Sequence, residues 1–223
     1  MLRKKFLVLA LVLGLTATGL HAQFSVGGGF IADFGWSGVT IDSASLWDPV
    51  ANEGFFIEGG GSDILSLGFG GYVFVSGRFI ELSMGFLGGP FEIEDNIAGE
   101  QLIVSGSFFA MDLTLLGRLP LTIGAVTIAP LLGIGWQAVL SGELEGIDIP
   151  EPGDLSNFRI LLGLGSDIMI TPNWFFRSAL LAYYRLPTTL ENNVVTLNQA
   201  IGLNANAYGG IGLQVRLGVG FRF

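Results

Sequence analysis

The stretch Ile211 to Phe223, IGLQVRLGVGFRF, most constrains what this chain can fold into. Ile211, Leu213, Val215, Leu217, Val219, Phe221 and Phe223 are all apolar, and Gly212, Gln214, Arg216, Gly218, Gly220 and Arg222 fall between them. An unbroken period of two marks a strand with two chemically different faces. A strand in a soluble sheet usually runs about 5 or 6 residues, whereas this one holds its alternation over 13. A strand that crosses a bilayer needs that kind of length.

Seven more stretches alternate in the same way: about 24–36, 63–75, 79–87, 107–123, 126–140, 158–170 and 174–186. Short turn-forming links, 76–78, 124–125 and 171–173, take turns with long ones that begin after Trp36, Leu87, Leu140 and Leu186. Turn chemistry dominates the long links, which read as loops. Leu119 to Leu140 carries no charge and has the hydropathy of a membrane helix. The alternation of Val126, Ile128, Pro130, Leu132, Ile134 and Trp136 with smaller or more polar residues makes it a strand instead. Pro130 removes a ladder donor, and residues 101–106 change parity, so a bulge is expected at each.

Charge sorts by the same parity. Arg118, Arg159, Arg177, Arg185, Arg216 and Arg222 all fall on the non-apolar face of their strands, with Asp33, Glu81, Asp112 and Asp167. The apolar faces carry no charge. An arginine facing lipid near the midplane costs roughly 2–4 kcal/mol, so a lipid-exposed outer wall imposes this partition, whereas a soluble barrel would reverse it. Unpaired charges in a narrow lumen are costly, and the ten residues are therefore expected to form an ion-pair network. Asp33 and Arg216, at similar heights on strands that adjoin if the sheet closes, are expected to pair. The remaining fifteen of nineteen acids lie in the loops or at their edges, which argues against a nucleic-acid partner. No spacing among them matches a calcium loop.

The first residues, MLRKKFLVLALVLGLTATGLHA, join a basic start to an apolar run and small residues, and read as a secretory signal over 1–22. Its removal would leave 223 − 22 = 201 residues, 23–223, room for one barrel and no second domain. Those residues contain no Cys, His or Lys. Disulfides, Cys or His metal sites, and the His-dependent chemistry of membrane proteases and lipases are thereby excluded. No catalytic residue, cofactor or metal is expected.

The fold class is all-β, an eight-stranded antiparallel up-and-down transmembrane β-barrel with turns at one end and loops at the other. The strand ending in Phe223 resembles the final strand of bacterial outer-membrane β-barrels, and the whole of 23–223 resembles the small eight-stranded outer membrane proteins A, X and W. The resemblance implies the outer membrane of a diderm bacterium, lipid contact, and Phe221 and Phe223 as a signal read by the barrel assembly machinery. Resemblance to the W type implies a narrow channel or binding site for small hydrophobic solutes. Ile31, Tyr72, Phe74, Leu131, Val139, Leu161, Phe175 and Tyr183 on the inward parity suit either an apolar path or a packed plug. The alternative is a closed barrel whose acidic loops contact host or other ligands, with Trp47, Phe55 and Phe56 as candidate contacts.

Overall fold

The computed structural model describes residues 24–48, 53–97, 100–144, 147–148, 152–190, 202–207 and 209–223. The expected signal, 1–22, lies outside them. The strands are β1 (Ser25–Asp48), β2 (Glu53–Ser76), β3 (Ile80–Ile97), β4 (Glu100–Arg118), β5 (Leu121–Ile123), β6 (Val126–Leu144), β7 (Ile147–Asp148), β8 (Asn157–Met169), β9 (Trp174–Arg185), β10 (Thr188–Leu190), β11 (Gly202–Ala207) and β12 (Ile211–Arg222). Eight of them close a wall in the order β1, β2, β3, β4, β6, β8, β9, β12, with β12 antiparallel to β1. Closure leaves the wall without an open edge, the condition for sheet in lipid.

Polarity is inverted relative to a soluble barrel. Phe30 is 78% exposed on the outside, and Leu132, Leu162, Leu164, Ile168 and Leu180 are exposed with it. Arg159, Arg216, Asp33 and Asp112 are buried inside. Outward aromatics bracket the apolar wall, as Trp174 and Tyr184 do on β9. Ten steps of about 3.3 Å, tilted by about 40°, span about 25 Å, the height of a lipid-facing band.

Four sequence expectations about the strands need correction. The links after Trp36 and Leu87 are not irregular loops: β1 and β2 stay paired to Asp48↔Glu53, and β3 and β4 to Ile97↔Glu100. Turn-type residues there ride on ladder hydrogen bonds, and beyond the lipid band an outward face has no need to be apolar. The same reason removes the parity change at 101–106, where β4 pairs with β3 without a slip and Ser105 and Ser107 simply face outward into a polar medium. The stretch 107–123 is not one strand. β4 ends at Arg118, and β5 forms a hairpin with β6 through Gly124, whose φ of 61° favours glycine.

Pro130 causes no bulge. Its carbonyl accepts from Leu119 N at 3.2 Å, and N and O of one residue point to the same neighbour in an antiparallel ladder. Its missing N–H therefore faces the break between β4 and β5. The bulge falls instead at Leu140, because Phe109 pairs with Ser141 and Ala110 with Val139. The Val139 N–H donates to Ser156 Oγ at 3.2 Å.

Candidate functional site: the packed lumen

Two groups of charge cross the lumen at different heights. The lower group, toward the short turns, joins Glu81 of β3, Arg118 of β4, Asp167 of β8 and Arg177 of β9. Arg177 grips Asp167 with two parallel bonds, Nε to Oδ1 at 2.7 Å and Nη2 to Oδ2 at 2.9 Å, and reaches Glu81 Oε2 through Nη1 at 2.6 Å. Arg118 donates Nη2 to Asp167 at 2.8 Å and holds Glu81 at 3.4 Å. Ser76 Oγ sits between the two guanidiniums and bonds Ser25 Oγ at 2.7 Å.

The upper group joins Asp33 of β1, Asp112 of β4, Arg159 of β8, and Gln214 and Arg216 of β12. Arg159 donates Nη1 to Asp33 at 3.0 Å, and its Nη2 lies 2.9 Å from Asp112, an ion pair without hydrogen-bond alignment. Gln214 Nε2 donates to Asp33 at 3.1 Å and Asp112 at 2.8 Å, while its Oε1 accepts from Arg216 Nε at 2.8 Å. Arg216 also donates to Ser83 and Thr114 and stands 3.9 Å from Asp112. Tyr183 OH donates to Asp33 at 2.6 Å.

Asp33 and Arg216 share the lumen but do not pair. Asp33 lies opposite Gln214 on β12, and Arg216 lies two residues lower, opposite Ile31. Gln214 fills the gap. Arg185 and Arg222 also point inward yet meet no carboxylate among the described residues: Arg185 lies 5.5 Å from the Tyr183 ring and Arg222 5.6 Å from that of Phe175. Each cluster holds two carboxylates and two guanidiniums, so the surplus of two positive charges sits with Arg185 toward the loops and Arg222 toward the turns.

The inward aromatics carry the arginines. Arg177 lies over Phe74 at 4.1 Å and Phe175 at 5.1 Å, Arg159 over Tyr183 at 4.8 Å, and Arg216 over Tyr72 at 5.5 Å. Such contacts are worth about 2 kcal/mol when desolvated. Room for these rings comes from glycines of the β1 and β12 seam: a Cβ at Gly27 would strike Phe74, at Gly220 Phe175, at Gly212 Tyr183 and at Gly218 Tyr72. Between the clusters, Leu116, Leu131, Leu161 and Leu181 pack into an apolar layer.

Gln214, Tyr183 and the hydroxyls of Ser76, Ser83 and Thr114 are the site residues that charge sorting misses. Their signal is inward parity beside a charge. At the foot of the wall, Phe221 packs edge-on against Trp174 at 5.2 Å and Phe223 at 5.1 Å. Among the described residues no three acids stand close enough to hold a metal ion. The side chains of Trp47, Phe55, Phe56 and most loop acids lie outside the described residues.

A closed antiparallel wall, an apolar outer belt and a charged, packed interior define the class: an integral outer-membrane β-barrel of eight strands. Among solved structures the chain is similar to the outer membrane protein OprG from Pseudomonas aeruginosa, with a TM-score of 0.52 and 12% identity over 91% of this chain and 96% of that one. It is also similar to the outer membrane protease OmpT from Escherichia coli, with a TM-score of 0.42 and 9% identity over 92% and 99% of the two chains. For Ail, the attachment invasion locus protein of Yersinia pestis, the values are 0.34 and 14% over 88% and 99%. The OprG likeness is one of fold. Neither a protein-family model nor a curated protein matches the chain.

Proposed function

We propose that the barrel binds small hydrophobic solutes in the loop-side half of its lumen and is not an open pore through its full height. The observation behind this reading is the pair of ion clusters, which fill the lumen below Arg185 with side chains tied across it. Above them, Ile64, Phe91, Ile93 and Phe108 face inward and are only half-buried. Apolar walls with a few polar groups suit small-molecule sites. The reading is non-enzymatic, because each carboxylate of the clusters is held by arginine and none is set apart as an acid or base.

The test is a flux and binding experiment on protein refolded into liposomes, comparing a small sugar with a small apolar compound against empty vesicles. Saturable binding of the apolar compound without sugar entry is expected. Sugar entry would overturn the closed lumen, and no binding would leave the second reading. In that second reading the loop end is a display surface, and the observation in its favour is the β1–β2 hairpin, in which β1 runs twelve residues beyond Trp36, eleven of them paired with β2. Its test is ligand capture by whole cells with and without that hairpin.

Export and assembly belong to the same proposal. Residues 1–22 act as a cleaved signal, so the mature protein should begin at Gln23 by mass spectrometry. Phe221 and Phe223 address the assembly machinery, and Phe223→Ala should lower the amount of folded barrel in the outer membrane.

A further inference from the structure

Arg185 has no counter-charge among the described residues, and its surroundings are built to receive one. Its Nη2 lies 3.4 Å from Ser66 Oγ and 3.3 Å from Tyr183 OH, both long for a hydrogen bond to a guanidinium. Its Nε is buried with no acceptor among the described residues. Arg118 and Arg159 also leave Nε without a bond, but their Nη atoms hold carboxylates. Arg185 has none. Gly35 makes the space in which these groups converge, since a Cβ there would lie 2.5 Å from Arg185 Nη2, 2.7 Å from Ser66 Oγ and 2.8 Å from Tyr183 OH.

An apolar surface adjoins this group. The Phe108 ring tip would lie 3.2 Å from a Cβ at Gly68, beside Leu87 and the Asp33 methylene. Asp33 in turn holds Tyr183 OH. Phe91 continues the surface one step further toward the loops, opposite Ser66 on β2 and Gly106 on β4. A guanidinium offers a planar fork matched to a carboxylate, and a ring surface beside it suits a short hydrocarbon body.

We propose that Arg185, with Ser66, is the head-group site of a loop-side pocket for amphipathic carboxylates, whose apolar body lies against Phe108 and Phe91, while Tyr183, its proton held by Asp33, positions the guanidinium. The proposal rests on the reading that apolar solutes enter the loop-side lumen, and adds the charge they carry. The test uses full mature protein in phosphatidylcholine nanodiscs, titrated with octanoate, octanol and acetate and referenced to empty discs. Octanoate should bind more tightly than octanol by about tenfold or more, the effect of one charged hydrogen-bonding group. Arg185→Gln should bring octanoate to the octanol level without changing octanol, and Arg185→Lys should recover part of the difference. Folding of each variant is checked by heat-modifiable migration on gels.

Equal affinity for octanoate and octanol in the natural protein would overturn the carboxylate site and leave apolar binding standing. Binding of neither would overturn both. Acetate competing as well as octanoate would reduce the site to an anion spot with no apolar half, against the proposal. A folded Arg185→Gln variant that loses octanol too would make Arg185 a structural residue of the pocket and not its head-group recogniser.

Discussion

In the lower cluster every carboxylate touches both guanidiniums, whereas in the upper one a neutral side chain holds the charges in place. Asp167 accepts from Arg177 and Arg118, and Glu81 lies against the same two. Asp33 meets only Arg159, and Arg216 is bonded by Gln214, Ser83 and Thr114 before any acid. The residues at hand explain the difference, since both clusters are buried. In the lower one Glu81 and Asp167 both come within reach of the Arg177 fork, so pairing is direct and partly bidentate. In the upper one Gln214 stands opposite Asp33 and two residues from Arg216, so amide dipoles do part of the work. The Gln214 amide is oriented by this arrangement, because turning it would set an acceptor against two carboxylates.

Breaking the lower cluster should have the largest effect. Arg177→Leu leaves two buried acids to Arg118 alone and should lower the unfolding free energy by about 3–5 kcal/mol, measured by urea titration of protein refolded in vesicles. A much smaller loss would mean that the cluster opens to water. Gln214→Leu removes three hydrogen bonds but no charge and should cost about 1–3 kcal/mol. A loss equal to that of Arg177→Leu would erase the distinction drawn between the clusters. The smallest effect sharpens it: the double variant should be additive to within about 0.5 kcal/mol, since an apolar layer separates the two sites. A larger departure would make the Tyr72 and Phe74 stack, rings 5.9 Å apart with Arg216 at one end and Arg177 at the other, the coupling element.

Strand number, closure and the inward face were legible because lipid enforces a strict rule on the outer wall, and alternation records it residue by residue. Where lipid stops, the rule stops too. Residues 37–48 and 53–62 therefore read as loop although their backbone is paired, and 101–106 read as a parity change. Inward charges were legible by parity, but their partners were not. Pairing across a tilted wall depends on stagger, which set Asp33 against Gln214 and sent Arg159 from the far side to meet it. Gln214 itself escaped notice because an uncharged residue adds nothing to a count of charge, although it makes more bonds in the upper cluster than either acid makes with its arginines. Leu140 and Pro130 exchanged roles for a local reason: a proline is harmless beside a ladder break, while a bulge needs an extra residue, which leaves no mark in composition.

The glycines of β1 and β12 face one another in register, Gly27 with Gly220, Gly29 with Gly218 and Gly35 with Gly212. At these positions the two strands bring together backbone alone. The first and last strands of the wall are far apart along the chain and meet here. A junction bare at these three levels leaves inward space that Phe74 and Tyr72 of β2 and Phe175 and Tyr183 of β9 occupy. The seam works like a mortise: what its own strands lack in side chains is filled by rings from the strand on either side, and a Cβ at Gly27, Gly212, Gly218 or Gly220 would push against one of them.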